Sequence, residues 1–109
     1  MIVVNTDYVP GYRVAQTLGL ARGNTIRCTN FVRDWMAGLK QIVGGEIVSY
    51  TTMISEAREE ALGRMVAAAQ QAGADAVINV RFTASNVMPN AVEILAYGTA
   101  VKLIAGSPI

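Results

Sequence analysis

The segment from Thr52 to Ala72 most constrains the fold, because it predicts a long amphipathic helix that needs a second layer to cover it. Its apolar positions recur at helical spacing: Met53, Ile54, Ala57, Ala61, Met65, Ala68, Ala69 and Ala72. Glu60 and Arg64 lie on another face with the i,i+4 spacing of a favourable ion pair. The small alanine side chains favour close packing on a sheet, and Gly73 ends the predicted helix.

A shorter helix is predicted between residues 30 and 43. Its apolar positions share one face: Phe31, Trp35, Leu39, Ile42 and Val43. Asn30 or Thr29 is a suitable N-cap, and Asp34 lies in the first turn near the positive end of the helix dipole. Gly44 and Gly45 are predicted to end this helix, which leaves residues 46–50 as a short link between the two helices.

Alternating or apolar runs predict five β-strands. They cover residues 2–5, 12–20, 25–29, 76–82 and 92–103. Arg22-Gly23-Asn24 has turn chemistry and predicts a hairpin between the second and third strands. Residues 86–90, which include Pro89, predict a turn between the last two. The last strand is apolar almost throughout, which indicates burial on both faces.

The predicted order is therefore β-β-β-α-α-β-β in one domain spanning residues 1–109, with residues 104–109 as a frayed tail. Because the last two strands form an antiparallel hairpin, an α+β sandwich of two layers is favoured over a doubly wound parallel sheet.

The apolar content exceeds what a domain of this size can bury. Hydrophobic residues make up 52% of the 109 residues, and ten more are glycine, whereas apolar residues and glycine together usually make up about 45–50% of a globular domain. A small domain buries only about 60–65% of its unfolded surface. We therefore expect a subunit interface, formed with further copies of the same chain.

Charge and hydropathy argue against several other partners. The net charge of +1 gives no electrostatic reason to expect nucleic acid. No apolar run reaches the roughly 18–20 residues that a membrane span needs. The first residues, MIVVNTDYVPG, lack the basic region of a signal peptide. We therefore expect a cytoplasmic protein that binds neither nucleic acid nor membrane.

The residues needed for common catalytic and metal sites are scarce. The chain has no histidine and one cysteine, Cys28, so Ser-His-Asp catalytic triads and Cys-His catalytic pairs are excluded. One subunit cannot supply the four Cys or His ligands of a structural zinc site, although a ring of Cys28 thiols from several subunits could bind a soft metal. Gly44-Gly45-Glu46 follows a predicted helix instead of opening one, which does not fit a phosphate-binding loop.

Two polar clusters remain. Glu56 and Glu60 share a helix face and could hold a divalent cation weakly, although a solvated helix surface is the simpler interpretation. Arg33-Asp34, beside Asn30 at a predicted helix start, could bind an anion or lock a subunit contact, but helix capping is the simpler interpretation.

Several stretches in order along the chain resemble one known family. They are Val9-Pro10-Gly11-Tyr12, Gly23-Asn24-Thr25-Ile26-Arg27, Asn30-x-x-Arg33-Asp34-x-x-Ala37-Gly38-Leu39, Val43-Gly44-Gly45-Glu46-Ile47, Tyr50-Thr51, Glu56-Ala57-Arg58-Glu59-Glu60-Ala61, Gly73-Ala74-Asp75-Ala76-Val77 and Ala96-Tyr97-Gly98-Thr99-Ala100-Val101. This set, spread over residues 2–103, resembles the YbjQ-like family of small proteins, which carry a heavy-metal-binding label.

The resemblance implies a dodecin-subunit-like fold and a ring-shaped homo-pentamer whose strands meet around the centre. It implies no settled activity. Because the chain has one cysteine and no histidine, metal ligands within one subunit would have to be carboxylates or carbonyls, which favour hard cations over soft heavy metals. No metal site is therefore carried over from the family. The candidate site residues are those that match the family motifs: Asn30, Arg33, Asp34, Gly44, Gly45, Glu46, Arg58 and Glu59. They would form either a contact between subunits or the lining of a small-ligand cleft.

Three functions are consistent with these observations. The leading hypothesis is a self-assembling domain without enzymatic activity that binds a small ligand or ion at subunit boundaries. The first alternative is a metal-binding or metal-response protein, with Cys28 as the candidate ligand. The second is an enzyme assembled across the ring, which would need Arg33, Asp34, Glu46, Arg58 or Glu59 to converge in a cleft.

Overall fold

One long helix packs on a four-stranded sheet in the computed structural model of the chain, which describes residues 1–28, 45–89 and 91–107, without the side chains of residues 45–50. The elements are β1 (Ile2–Val3), β2 (Tyr12–Cys28), α1 (Gly45–Gln71), β3 (Ala76–Met88) and β4 (Ala91–Ala105). The described part of the chain is thus a mixed α+β fold, as predicted. None of its helices is long and apolar enough to cross a membrane.

The sheet has the order β1-β3-β4-β2. The central strand, β4, is antiparallel to both β2 and β3, so the predicted hairpin of the last two strands is confirmed. Since β2 and β3 both oppose β4, they run parallel to each other, and the segment containing α1 crosses from one to the other. β1 is parallel to β3 and pairs with it only at Ala76 and Val77.

α1 covers one face of the sheet with the predicted small-residue stripe. Ala57, Ala61, Met65 and Ala69 are fully buried, while Ala68 and Ala72, which were also predicted to belong to this stripe, are exposed. Even-numbered residues in the first two thirds of β4 lie on the covered face and pack in the same core, namely Val92, Ile94, Ala96 and Ala100. The predicted ion pair between Glu60 and Arg64 is also present.

The predicted turn at Arg22-Gly23-Asn24 is wrong. β2 passes through these residues as a continuous strand that pairs with β4 from Leu20 to Cys28 without interruption. The described chain therefore has four strands, where five were predicted. Gly23 is needed for a different reason, since α1 passes directly over it and leaves no room for a side chain. Glycine within a strand is typical of such close backbone approach.

Other predicted boundaries also shift. α1 begins at Gly45, so residues 46–50 belong to the helix instead of forming a link, and Gly45 is the first described residue of this helix. The pattern allows this, because Ile47, Tyr50 and Ile54 have the i, i+3, i+7 spacing of a helix face. β4 continues to Ala105, two residues into the predicted tail. The predicted helix over residues 30–43 lies outside the described residues.

A smaller core lies on the other face of the sheet. Val9 packs there with Ala76, Ile78 and Val101, supported by Val4 and Leu103. The chain between β1 and β2 thus covers the sheet near the start of β3. The rest of that face, towards the β3–β4 hairpin, is uncovered by any described element, and we call it the open face.

Candidate functional site

Both outer edges of the sheet are unpaired over long stretches. β2 is an edge strand of 17 residues, with β4 on one side and no described strand on the other. On the opposite side of the sheet, Val4 lies beside β3 just beyond the end of β1. The backbone N–H of Val80 donates to the carbonyl of Val4 at 3.1 Å. From Phe82 to Met88 no described strand lies beside the outer edge of β3.

These edges also expose apolar side chains. Leu20 on β2 is 65% exposed and Met88 on β3 is 60% exposed, and Ile26, Phe82 and Val87 are also exposed. The stretch from Phe82 to Met88 contains no proline and no charged residue, which are the features that usually protect an edge strand from pairing with another chain. The edges therefore have the character of sites for strand pairing.

The shape of the chain is unusual for an isolated domain. The radius of gyration is 17.9 Å and the longest dimension is 58 Å, whereas a compact domain of this length has a radius of gyration of about 13 Å. The long strands account for this, because 17 extended residues span about 56 Å. Such a thin, elongated subunit leaves much of its sheet surface in contact with solvent.

A charged network fastens α1 to β2. The carboxylate of Glu60 accepts hydrogen bonds from Arg27 and pairs with Arg64 at 2.5 Å. Arg64 also donates to the backbone carbonyl of Asn24 at 2.6 Å, and Arg27 donates to the buried Thr25 hydroxyl at 3.2 Å. The hydrogen bond from Arg27, together with the positive charges of both arginines, lowers the pKa of Glu60.

The open face carries a row of polar residues that the strand register brings together. Arg22 on β2 and Arg81 on β3 are both register partners of Tyr97 on the central strand. Because opposed residues in an antiparallel pair point to the same face, the three side chains form one row across the sheet. Two residues further along β4 the next row is Asn24, Leu95 and Thr83, and then Ile26, Glu93 and Ser85.

Two cavities flank these features. A shallow one of about 400 Å³ lies on the open face and is lined by Arg22, Asn24, Glu93 and Leu95. Within this cavity the side-chain amide of Asn24 donates to the Glu93 carboxylate at 3.2 Å. The second, of about 490 Å³, is a largely apolar groove on the helix side, between Leu62 of α1 and Phe82 of β3.

The predicted site residues do not form one cluster in the described structure. Asn30, Arg33, Asp34 and Gly44 lie outside the described residues. Gly45 and Glu46 open α1, whereas Arg58 and Glu59 are exposed further along it. Twelve residues of helix separate Glu46 from Arg58 by about 18 Å. Arg58 donates to the Ser55 hydroxyl at 3.3 Å, so its nearest polar partner is local.

The candidate metal ligands are also separated. Cys28 is exposed at the end of β2, opposite Ala91. Glu60, proposed with Glu56 as a weak cation site, is engaged by two arginines. Within residues 1–28, 45–89 and 91–107, no three Asp, Glu, Cys or His side chains gather to hold a metal ion.

The contacts of Arg27 and the shared row of Arg22, Arg81 and Tyr97 were not predicted from the sequence. The alternation of β2 after residue 20 would have placed Arg22 and Arg27 on opposite faces, had the stretch been interpreted as one strand. No local signal marks the row of Arg22, Tyr97 and Arg81, since it depends on the pairing of three strands.

Comparison with known proteins places the chain among a group of close relatives. A family model described as "Putative heavy-metal-binding" (YbjQ_1) matches residues 1–104. A UPF0145 protein of Methanoculleus marisnigri is 56% identical over 104 residues, covering 95% of this chain and 97% of the relative. Another UPF0145 protein, from Archaeoglobus fulgidus, is 54% identical over 103 residues, covering 94% and 95%.

A solved structure shows the same fold. A crystal structure from Pediococcus pentosaceus, described as a protein of unknown function in the DUF74 family, superposes with a TM-score of 0.64. The match covers 95% of this chain and 98% of the other, at 15% sequence identity. At that identity the similarity concerns the fold alone.

Proposed function

We propose that this chain, which belongs to the YbjQ family, is a self-assembling domain whose copies join edge to edge. In this arrangement the free edge of β3 in one copy pairs with the free edge of β2 in the next. The observation that carries the proposal is the pair of unpaired strand edges on opposite sides of one sheet, both with exposed apolar side chains.

Pairing of two different edges is a head-to-tail contact, which closes into a ring or continues into a filament. Closure is the expected result, because strands twist and a twisted sheet readily curves into a closed barrel. The resemblance to the family favours five copies. Pairing would satisfy the backbone groups from Phe82 to Met88 and would cover apolar side chains that are exposed in one chain.

Ring closure also favours one orientation of the layers. α1 adds a layer about 10 Å thick to one face of the sheet, and the thicker side of a curved two-layer wall fits more easily on the outside. We therefore expect α1 on the outer surface and the open face towards the axis. A small ligand or ion at the subunit boundaries would then bind to groups on the open face or along the paired edges.

Light scattering coupled to gel filtration tests the assembly directly. At micromolar concentrations we expect a single species with the mass of a small ring, five copies being the favoured number. A monodisperse monomer under those conditions would contradict the proposal, and a broad distribution of long polymers would contradict ring closure.

The alternative role is metal binding, as in the family description. Cys28 is its candidate ligand, because this exposed thiol ends the edge strand that is proposed to face the next subunit. A ring would repeat the thiol around the axis and so supply several soft ligands from a chain that has one.

A further inference from the structure

We propose that the open face binds a small oxyanion of the phosphate class through the row formed by Arg22, Tyr97 and Arg81. The inference deepens the proposed function, on which it rests, since ring closure would gather copies of this row around the axis. Nothing in the family description names an anion, and the proposal depends instead on the strand register and on the charge of this face.

Two arginines lie in register with Tyr97, one on each neighbouring strand. Tyr97 is half-buried on the central strand, and its register partners on the two flanking strands are Arg22 and Arg81. Neighbouring strands lie about 4.8 Å apart, so the three residues start within about 10 Å of one another. Guanidinium and phenol groups are all donors suited to phosphate oxygens.

Both arginines have N–H donors that are not used in bonds to described residues. Arg22 makes no ion pair or side-chain hydrogen bond with any described residue, in contrast to Arg27 and Arg64 on the other face. Arg81 is anchored by its Nη1, which donates to the carbonyls of Asn5 at 2.8 Å and Val80 at 2.9 Å. Its Nε and Nη2 groups are not used in those bonds and can donate to a ligand.

The charged side chains near Tyr97 on the described open face are mainly positive. The only acidic side chain on the described open face is Glu93, which lies two rows along the sheet from Tyr97, or about 13 Å. Its carboxylate already accepts a hydrogen bond from Asn24. Arg22 and Arg81 therefore carry two positive charges that form no ion pair with any described residue. Arg22 lines one side of a cavity that Glu93 also lines. The two positive charges favour an anion over a metal cation at the row.

Assembly would strengthen the site. If the open face turns towards the axis, each added copy contributes two more guanidinium groups to a shared space, and their mutual repulsion is relieved when an anion binds. A polyvalent oxyanion should therefore bind more tightly than phosphate itself, and both should bind more weakly as salt is added.

The test is titration calorimetry of the intact oligomer with inorganic phosphate and with tripolyphosphate, at low salt and at roughly physiological salt. We expect saturable binding, tighter for tripolyphosphate, and a loss of about tenfold or more in affinity for Arg22→Ala. Tyr97→Phe should weaken binding less, since it removes one hydroxyl donor and keeps both charges.

Arg13→Ala is the matched control, because Arg13 lies on the same strand but opposite Ile104, which places it on the helix side of the sheet. The affinity of the Arg13→Ala variant for both anions should stay within about twofold of that of the unmodified protein. Equal weakening by the Arg13 and Arg22 variants, or an oligomer that binds neither anion, would overturn the anion site and leave the assembly intact. A monomer in light scattering would overturn the assembly and with it the shared site.

Discussion

Gly23 of β2 lies directly under Met65 of α1, so closely that a Cβ atom on Gly23 would come within 2.3 Å of the Met65 backbone nitrogen. The Ala61 carbonyl oxygen would be 2.4 Å away. Both atoms belong to the helix backbone and cannot move independently of it. This contact fixes how near α1 can approach the sheet, and it is central to the stability of the fold.

Gly23→Ala should therefore destabilise the protein by about 1–3 kcal/mol, since overpacking forces the helix away from β2. Urea denaturation would measure the change in unfolding free energy. Gly63→Ala is the matched control, because Gly63 lies in α1 with nothing within 4 Å of the added methyl group. That variant should gain up to about 1 kcal/mol from improved helix propensity. Equal stability of the two variants would show that the close approach is absent.

Charges placed on the free edges should weaken assembly without unfolding the subunit. Leu20→Lys on β2 and Met88→Lys on β3 replace exposed side chains, so the fold of one chain loses little. In the proposed ring these positions repeat at every boundary, and sedimentation velocity should show a shift to smaller species. Ala67→Lys adds the same charge to the exposed surface of α1 and should leave the oligomer mass unchanged.

The Glu60 network should make stability depend on pH. The arginines lower the pKa of Glu60 in the folded chain below its ordinary value of 4.5. The stabilisation is therefore fully present above that ordinary value and is lost as the pH falls through the lower, folded-state pKa. Glu60→Gln should unfold at lower urea concentration than the unmodified protein at about pH 7, and the difference should shrink towards about pH 3.

Glu59→Gln is the control for net charge, because Glu59 is an exposed neighbour on the same helix that makes no ion pair with any described residue. A Glu60→Gln variant as stable as the Glu59→Gln variant at neutral pH would show that the network contributes nothing measurable.

Asn79 adopts a left-handed backbone conformation, with φ of 54°, within the register shift between Ile78 and Arg81 of β3. The backbone N–H of Asn79 donates to the backbone carbonyl of Thr6 at 2.9 Å. Asn79→Gly should be tolerated, whereas Asn79→Val should cost about 1–2 kcal/mol or more, because a β-branched residue disfavours this conformation. Thermal unfolding of the two variants measures the difference, and equal melting temperatures would contradict the assigned geometry.

Metal binding through Cys28 makes a separate prediction. If the thiols of several copies form a site, the oligomer should take up zinc or copper tightly, and Cys28→Ser should abolish the uptake. Inductively coupled plasma analysis after dialysis measures the bound metal. Uptake that persists in the Cys28→Ser variant would remove this residue from the metal-binding hypothesis, and no uptake by the unmodified protein would contradict the hypothesis itself.

Much of the fold follows from periodicity. The stripe through Ala57, Ala61 and Met65 predicts the buried face of α1, and the turn near Pro89 predicts the hairpin of β3 and β4. These predictions succeed because each depends on residues close together in the chain. The candidate site was less predictable, because Glu46 and Arg58 share α1 but lie about 18 Å apart along it within one chain.

The sequence by itself determined where α1, β3 and β4 lie along the chain, and that the chain lacks a histidine base. Their bounds differ, since α1 begins seven residues earlier than predicted and β3 continues six residues further, into the predicted turn. The tertiary structure decided why position 23 requires glycine. The absence of a Cβ atom suits both a tight turn and the close approach of a helix, and only the packing of α1 on β2 distinguishes the two. It also decided that Arg22, Tyr97 and Arg81 form one row. That row results from pairing between strands remote in sequence, which no local pattern records.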